Sequence, residues 1–271
     1  MAAAEASPKK AGLEERKALA EKVYAALAKA IPEPKVELKY SSVYELLTAV
    51  MLSAQATDKS VNAVTGELFR RAPTPEKMLE LGEESVRDIV KTVGLANTKA
   101  RHIIEAAEIL LSEFNGKVPE TIEELVRLPG VGEKTAKVVL NVGFGKGVIA
   151  VDTHILRVAH RLGLSESKTP AGVSRDLEAI TPEKYIRNAH HYLLLHGRYT
   201  CRAQRPLCGS CVLRSLCVFS ESAEEKTGAG SRTRSRHRTE TGLRSGTKAK
   251  PESRTKAKSE AEARPDPGTG P

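Results

Sequence analysis

Between about Leu13 and Phe219 the chain repeats one pattern: apolar residues at helical spacing, interrupted by short breaks rich in Gly, Pro and Asn. Ile103, Ala107, Leu110 and Leu111 show the spacing that lays an apolar stripe along one helix. Breaks fall at 72–75, 93–97, 115–119, 129–132, 143–148 and 169–172. No alternating strand series accompanies them, so the pattern specifies an all-α fold. The first helix is expected from about Leu13 to Ala30, stopped by the Ile-Pro-Glu-Pro segment at 31–34. The 271 residues are 40% hydrophobic, but only 4% aromatic and without Trp. The core must therefore be built from Leu, Val, Ile and Ala, and the length suffices for two lobes sharing an interface.

A formal net charge of +9 suits a polyanionic partner, either nucleic acid or an anionic membrane. The N-terminal MAAAEASPKKAGLEERK has no apolar stretch of the secretory type. No run reaches the ~18–20 apolar residues of a membrane span. The expectation is a cytoplasmic protein, nucleoid-associated if its partner is DNA. Residues 1–11 are small and polar, and are expected to be a disordered extension. Residues 221–271 hold a single large aliphatic residue, Leu243, and no aromatic. They carry twelve Lys or Arg against eight Asp or Glu, a net of +4. So polar a segment buries too little apolar surface to offset its ordering entropy, which predicts a disordered basic tail. It is either a solvated appendage or a DNA-tethering arm.

The most informative stretch is TIEELVRLPGVGEKTAKVVLNVGFG. Glu120 to Leu128 is expected to be helical, Pro129-Gly130-Val131-Gly132 to be a tight turn, and Glu133 onward to be helical again. Such a hairpin points backbone N–H groups and the positive end of a helix in one direction, which makes an anion site. An ordinary αα-hairpin reads the same way from the turn alone. Lys134 falls in the first turn of the second helix. A helix's positive end disfavours an ammonium there and favours a neutral, nucleophilic amine, although a solvated or phosphate-contacting Lys fits too. Asp152 precedes THILRVAHRLGL and is placed to cap that helix; with Ile155 three positions on, it has no capping box.

All four cysteines lie in one array, Cys201-x6-Cys208-x2-Cys211-x5-Cys217. Four thiolates within 17 residues can wrap one metal centre. Thiolate chemistry alone leaves zinc and iron–sulfur both open.

Taken in order, LSAQATD (52–58), VGLANTKA (93–100), LPGVGEKTA (128–136), VDTHILRV (151–158) and LHGRYTC (195–201) resemble the endonuclease III family. That family belongs to the helix–hairpin–helix DNA glycosylase superfamily, and the likeness runs over roughly 36–220. The resemblance implies two helical lobes with a DNA cleft between them. Residues 36–146 would form a six-helix lobe, and 12–35 plus 147–220 the cluster-bearing lobe. It implies a bifunctional glycosylase and abasic-site lyase acting as a monomer on damaged duplex DNA. The damaged base would be an oxidised pyrimidine, and strand cleavage would pass through a lysine Schiff base. Lys134 and Asp152 match the catalytic positions, and their proximity comes from the resemblance alone. The cysteine spacing matches the family's [4Fe–4S] loop. Gln55 matches a plug for the hole left by an extruded base, and Leu95 a wedge between base steps. Gly130, Val131 and Gly132 would meet backbone phosphate. Arg202 and Arg205, in the loop between the first two cysteines, could do so as well.

Two other readings stay open. One is an adenine-mismatch glycosylase, a branch that lacks lysine at the position of Lys134. The other is a non-catalytic hairpin DNA-binding protein with a structural zinc.

Overall fold

A computed structural model describes residues 12–220. The expected N-terminal extension (1–11) and basic tail (221–271) lie outside them. No strand occurs among the described residues, and eleven α-helices do. They are α1 (Leu13–Ala30), α2 (Val43–Ser53), α3 (Asp58–Arg71), α4 (Pro75–Leu81), α5 (Glu83–Val90) and α6 (Ala96–Phe114). Then follow α7 (Ile122–Leu125), α8 (Glu133–Phe144), α9 (Thr153–Leu162), α10 (Pro170–Ile180) and α11 (Glu183–Leu195). A π-helical turn, His196–Thr200, continues α11 and leads into the cysteine loop.

Local chemistry explains the boundaries. The Thr74-Pro75 and Thr169-Pro170 pairs start α4 and α10, each Thr hydroxyl accepting an N–H three residues on, each Pro at the helix's first position. Ser42 caps α2 in the same way. Thr57 caps α3 by accepting from Ser60 N–H, so Asp58 is the helix's first residue and its carboxylate is left for another partner. The helix expected over 120–128 is shorter, a single turn at Ile122–Leu125. Pro129 disfavours helical backbone in the residue before it. The chain tightens instead through i+3 bonds, Arg127 N–H to Glu124 C=O and Leu128 N–H to Leu125 C=O, both at 3.1 Å.

Apolar side chains gather in two clusters. The first unites α2 to α8 around Leu47, Leu52, Leu68, Met78, Ile103, Leu110 and Val139. The second unites α1 with α9 to α11 and the cysteine loop, around Tyr24, Leu27, Ile155, Leu162, Leu177, Leu193 and Leu213. The chain leaves the second cluster after α1 and returns to it at Ile149, directly after α8.

Candidate active site

The hairpin is α7, its turn and α8. Gly130 adopts φ +78°, a conformation that an L side chain resists, and an added Cβ would lie 2.8 Å from His102 Nδ1 of α6. Gly132 is the N-cap of α8, provides no side-chain cap, and has nothing within 4 Å of where a Cβ would stand. The first-turn N–H groups of α8 are therefore left for an external acceptor. Val131 is buried and its N–H is bonded to Leu128 C=O at 3.1 Å, so this residue fastens the turn and offers no free donor.

Lys134, on the first turn of α8, borders a pocket of about 250 Å³. Asp152 borders the same pocket from the start of α9, together with Gln55, His190 and Arg198. Val50, Val138 and Leu194 supply apolar wall. Asp152 caps α9, Oδ1 accepting from Ile155 N–H at 2.8 Å, which fixes the carboxylate on a rigid mount. His190 is buried and its Nδ1 lies 2.9 Å from Ala150 C=O. A carbonyl only accepts, so Nδ1 carries the proton and Nε2 is the bare nitrogen. Burial, then the neighbouring His191, push the His190 pKa down to about 4, with Lys134 adding to the effect and Asp152 opposing it.

Several residues here were not read from the sequence. Arg198 bridges Asp58, at 2.6 Å, and Glu37 on the pocket rim. Burial works against its charge, but Asp58 and Glu37 outweigh burial and hold it charged. Both Asp58 and Arg198 sit inside strings that carried the resemblance, which was the available signal. Lys99, on α6, is buried with Nζ 2.8 Å from Leu52 C=O at the end of α2. That bond ties the end of α2, just before the loop holding Gln55, to the first turn of α6, which Leu95 precedes.

Gln55 and Leu95 share a further property. Both are non-glycine residues in left-handed backbone, at φ 55° and 63°. Leu95 is 56% exposed and so is not a core contact. Arg205 is left-handed too, at φ 49°, and both Arg202 and Arg205 are exposed.

The four cysteines are unpaired, and all of them border one small pocket with His196, Leu207 and Phe219. Burial pushes the Cys211 thiol up, and Cys201, Cys217 and Cys208 add to it. Arg161 donates to Cys201 Sγ at 3.4 Å and lies over the Phe219 ring. Among the described residues no three His, Cys, Asp or Glu side chains are close enough to hold a single metal ion. Four sulfurs around one pocket, with a guanidinium donor on one, are consistent with a thiolate-held metal centre.

A helix–hairpin–helix whose second helix starts with uncapped N–H groups, a Lys and an Asp on one pocket, and a four-cysteine loop point to a base-excision type of DNA enzyme. The model of the HhH-GPD superfamily of base excision DNA repair proteins matches residues 48–183. Endonuclease III of Treponema pallidum is 53% identical over 195 residues, 72% of this chain and 92% of that protein. Endonuclease III of Escherichia coli K12 is 51% identical over 193 residues, 71% and 92% of the two chains. A trapped endonuclease III–DNA covalent intermediate matches with a TM-score of 0.72 and 39% identity, covering 77% of this chain and 98% of that one. The chain belongs to the endonuclease III family of this superfamily, DNA glycosylases with abasic-site lyase activity. No helix among the described residues is long and apolar enough to cross a membrane.

Proposed function

We propose that this chain binds damaged duplex DNA, removes oxidised pyrimidines, and cleaves the strand 3′ to the resulting abasic site through a Schiff base on Lys134. The observation that carries the reading is that Lys134 and Asp152, 18 positions apart, border one pocket formed where elements of the two apolar clusters meet. The clusters serve as the two lobes, and the duplex lies across the groove between them. The Lys134 amine attacks the sugar carbon that bears the base, and the bond to the base breaks as the base leaves with its electron pair. Ring opening and loss of the amine proton give the Schiff base. Loss of a proton from the neighbouring carbon then expels the 3′ phosphate with the electrons of its C–O bond. Asp152 stabilises the positive charge that develops on the sugar and takes part in proton transfer at the lysine. Gln55 fills the space left by the extruded nucleotide and Leu95 wedges the neighbouring step. The free first-turn N–H groups of α8, and Arg202 and Arg205, take phosphates. The four cysteines hold a [4Fe–4S] cluster, which braces the loop that carries those arginines. The place of action is the cytoplasm, at the nucleoid.

Borohydride trapping on a duplex with an oxidised pyrimidine tests the reading. Wild type is expected to form a covalent adduct, and Lys134→Gln to form none while still binding DNA. Excision by the wild type with no trapped species would instead mean a monofunctional glycosylase.

A further inference from the structure

Residues four apart on a helix share a face, so the sequence of α8 divides into stripes. Ala136, Val139 and Leu140 are buried in the first apolar cluster. Lys134, Val138 and Val142 border the pocket. The third stripe, Glu133, Lys137 and Asn141, is polar, and its last two members are buried. The partners of this stripe lie mainly on elements outside the first cluster. Lys137 Nζ lies 2.5 Å from Ser174 Oγ and 3.1 Å from Glu178 Oε1, both on α10, and 3.6 Å from Glu133 on its own helix. Asn141 Nδ2 donates to the carbonyls of Lys146 and Arg187, at 3.1 and 3.2 Å.

The same acceptors grip the segment that leads to Asp152. Glu178 Oε1 accepts Ile149 N–H at 2.9 Å, and Ser174 Oγ donates to Ile149 C=O at 2.7 Å. One residue on, His190 donates to Ala150 C=O. Lys137, one turn beyond Lys134, and Ile149, three residues before Asp152, thus hang on the same two side chains.

We propose that Lys137, through Ser174 and Glu178, is a positioning residue that fixes the rotation of α8 and so aims the Lys134 amine at the site faced by Asp152. Apolar packing on the 136/139/140 stripe is non-directional and lets a helix roll or slide by fractions of an ångström. Hydrogen bonds to a buried ammonium are directional and short-ranged. Among the described residues, no other ion pair or side-chain hydrogen bond from the first two turns of α8 reaches α10 or the segment leading to Asp152. The proposal rests on the reading of Lys134 and Asp152 as the reacting pair.

The test is single-turnover borohydride capture on a duplex with a preformed abasic site, beside binding of the full-length protein to the same duplex bearing a stable tetrahydrofuran abasic analogue. Lys137→Met is expected to slow capture on the order of 10- to 100-fold, as small misplacements of reacting groups do. Binding of the analogue should stay within about twofold. Because removing one member of a buried pair can unfold a protein, Lys137→Met/Glu178→Gln is the companion: it buries no unpaired charge, keeps an acceptor for Ile149 N–H, is expected to fold, and should still capture slowly. Ser174→Ala, which removes one hydroxyl and keeps the charges paired, is expected to slow capture severalfold. Folded variants that capture at the wild-type rate would overturn the positioning role and leave Lys134 as nucleophile. A wild type that captures nothing would overturn the Lys134 reading itself.

Discussion

Leu95 places a large apolar side chain in solvent on left-handed backbone, two features that each cost free energy at an ordinary surface position. Strain and exposure together suit a side chain held out for something that arrives later. Leu95→Gly separates the two effects. It relieves backbone strain worth about 1 kcal/mol, so the thermal midpoint is expected to rise slightly while excision from duplex DNA slows. A variant that is less stable and fully active would sink the wedge role. His190 supports a second prediction. Its imidazole takes up a proton near pH 6.5 when unfolded but only near about 4 when folded, chiefly because it is buried. Above pH 6.5 neither state is protonated and the group is silent. As pH falls toward 4 only the unfolded chain gains the proton, so stability is lost through that window, by up to about 3 kcal/mol. His190→Asn keeps a donor for Ala150 C=O and cannot titrate. Denaturant titrations between about pH 4.5 and 7.5 should show a flatter dependence in the variant, and parallel curves would refute the assignment. Neither the neutral histidine nor the strained leucine could be read from residue type, because both properties come from what surrounds the side chain.

The hairpin was legible almost entirely, because its determinants lie within some twenty consecutive residues and are backbone-local. The first helix, Leu13 to Ala30, was legible for the same reason. The helix expected over 120–128 came out too long, since apolar spacing continues through Leu128 while the backbone already bends for Pro129. Thr57 caps α3, which leaves Asp58 at the helix's first position to pair with Arg198. The two turn glycines make the element's function testable. Gly130→Ala forces a side chain into left-handed backbone and against His102, and is expected to destabilise the protein by about 1–2 kcal/mol from the backbone alone. Gly132→Ala meets nothing and adopts an ordinary conformation at φ −93°. In the proposed binding mode its methyl group would stand in the way of a phosphate at the first-turn amides. The expectation is an unchanged melting temperature with duplex affinity reduced on the order of tenfold, about 1.4 kcal/mol. Unchanged affinity in Gly132→Ala would mean that the turn does not meet the DNA backbone.

At the scale of the molecule, periodicity reveals which face of a helix is buried but not against which element. Lys137 and Glu178 are 41 positions apart, and Asp58 and Arg198 are 140 apart. Neither pair was visible before the fold brought its members together; for Lys134 and Asp152 only the resemblance implied proximity, and the fold sets both on one pocket. Charge, by contrast, adds up without a fold. Of the net +9, residues 221–271 carry +4, leaving +5 on residues 1–220, where the pocket, the hairpin and the cysteine loop all lie. Affinity for undamaged duplex depends on how many phosphates are neutralised, and its logarithm falls with the logarithm of salt by about 0.9 for each. In the proposed mechanism the chemical step depends on Lys134 and Asp152, which lie within residues 1–220. Removing residues 221–271 is therefore expected to lower both the salt slope and the affinity for undamaged duplex, by an amount that grows as salt is reduced. The single-turnover rate on a bound lesion should stay within about twofold, because no group bordering the pocket is lost. Binding isotherms at several salt concentrations, for full-length and truncated protein, measure the first effect, and borohydride capture measures the second. Superimposable salt slopes would show that the basic segment is a bystander. A large fall in the capture rate would show that it reaches the site.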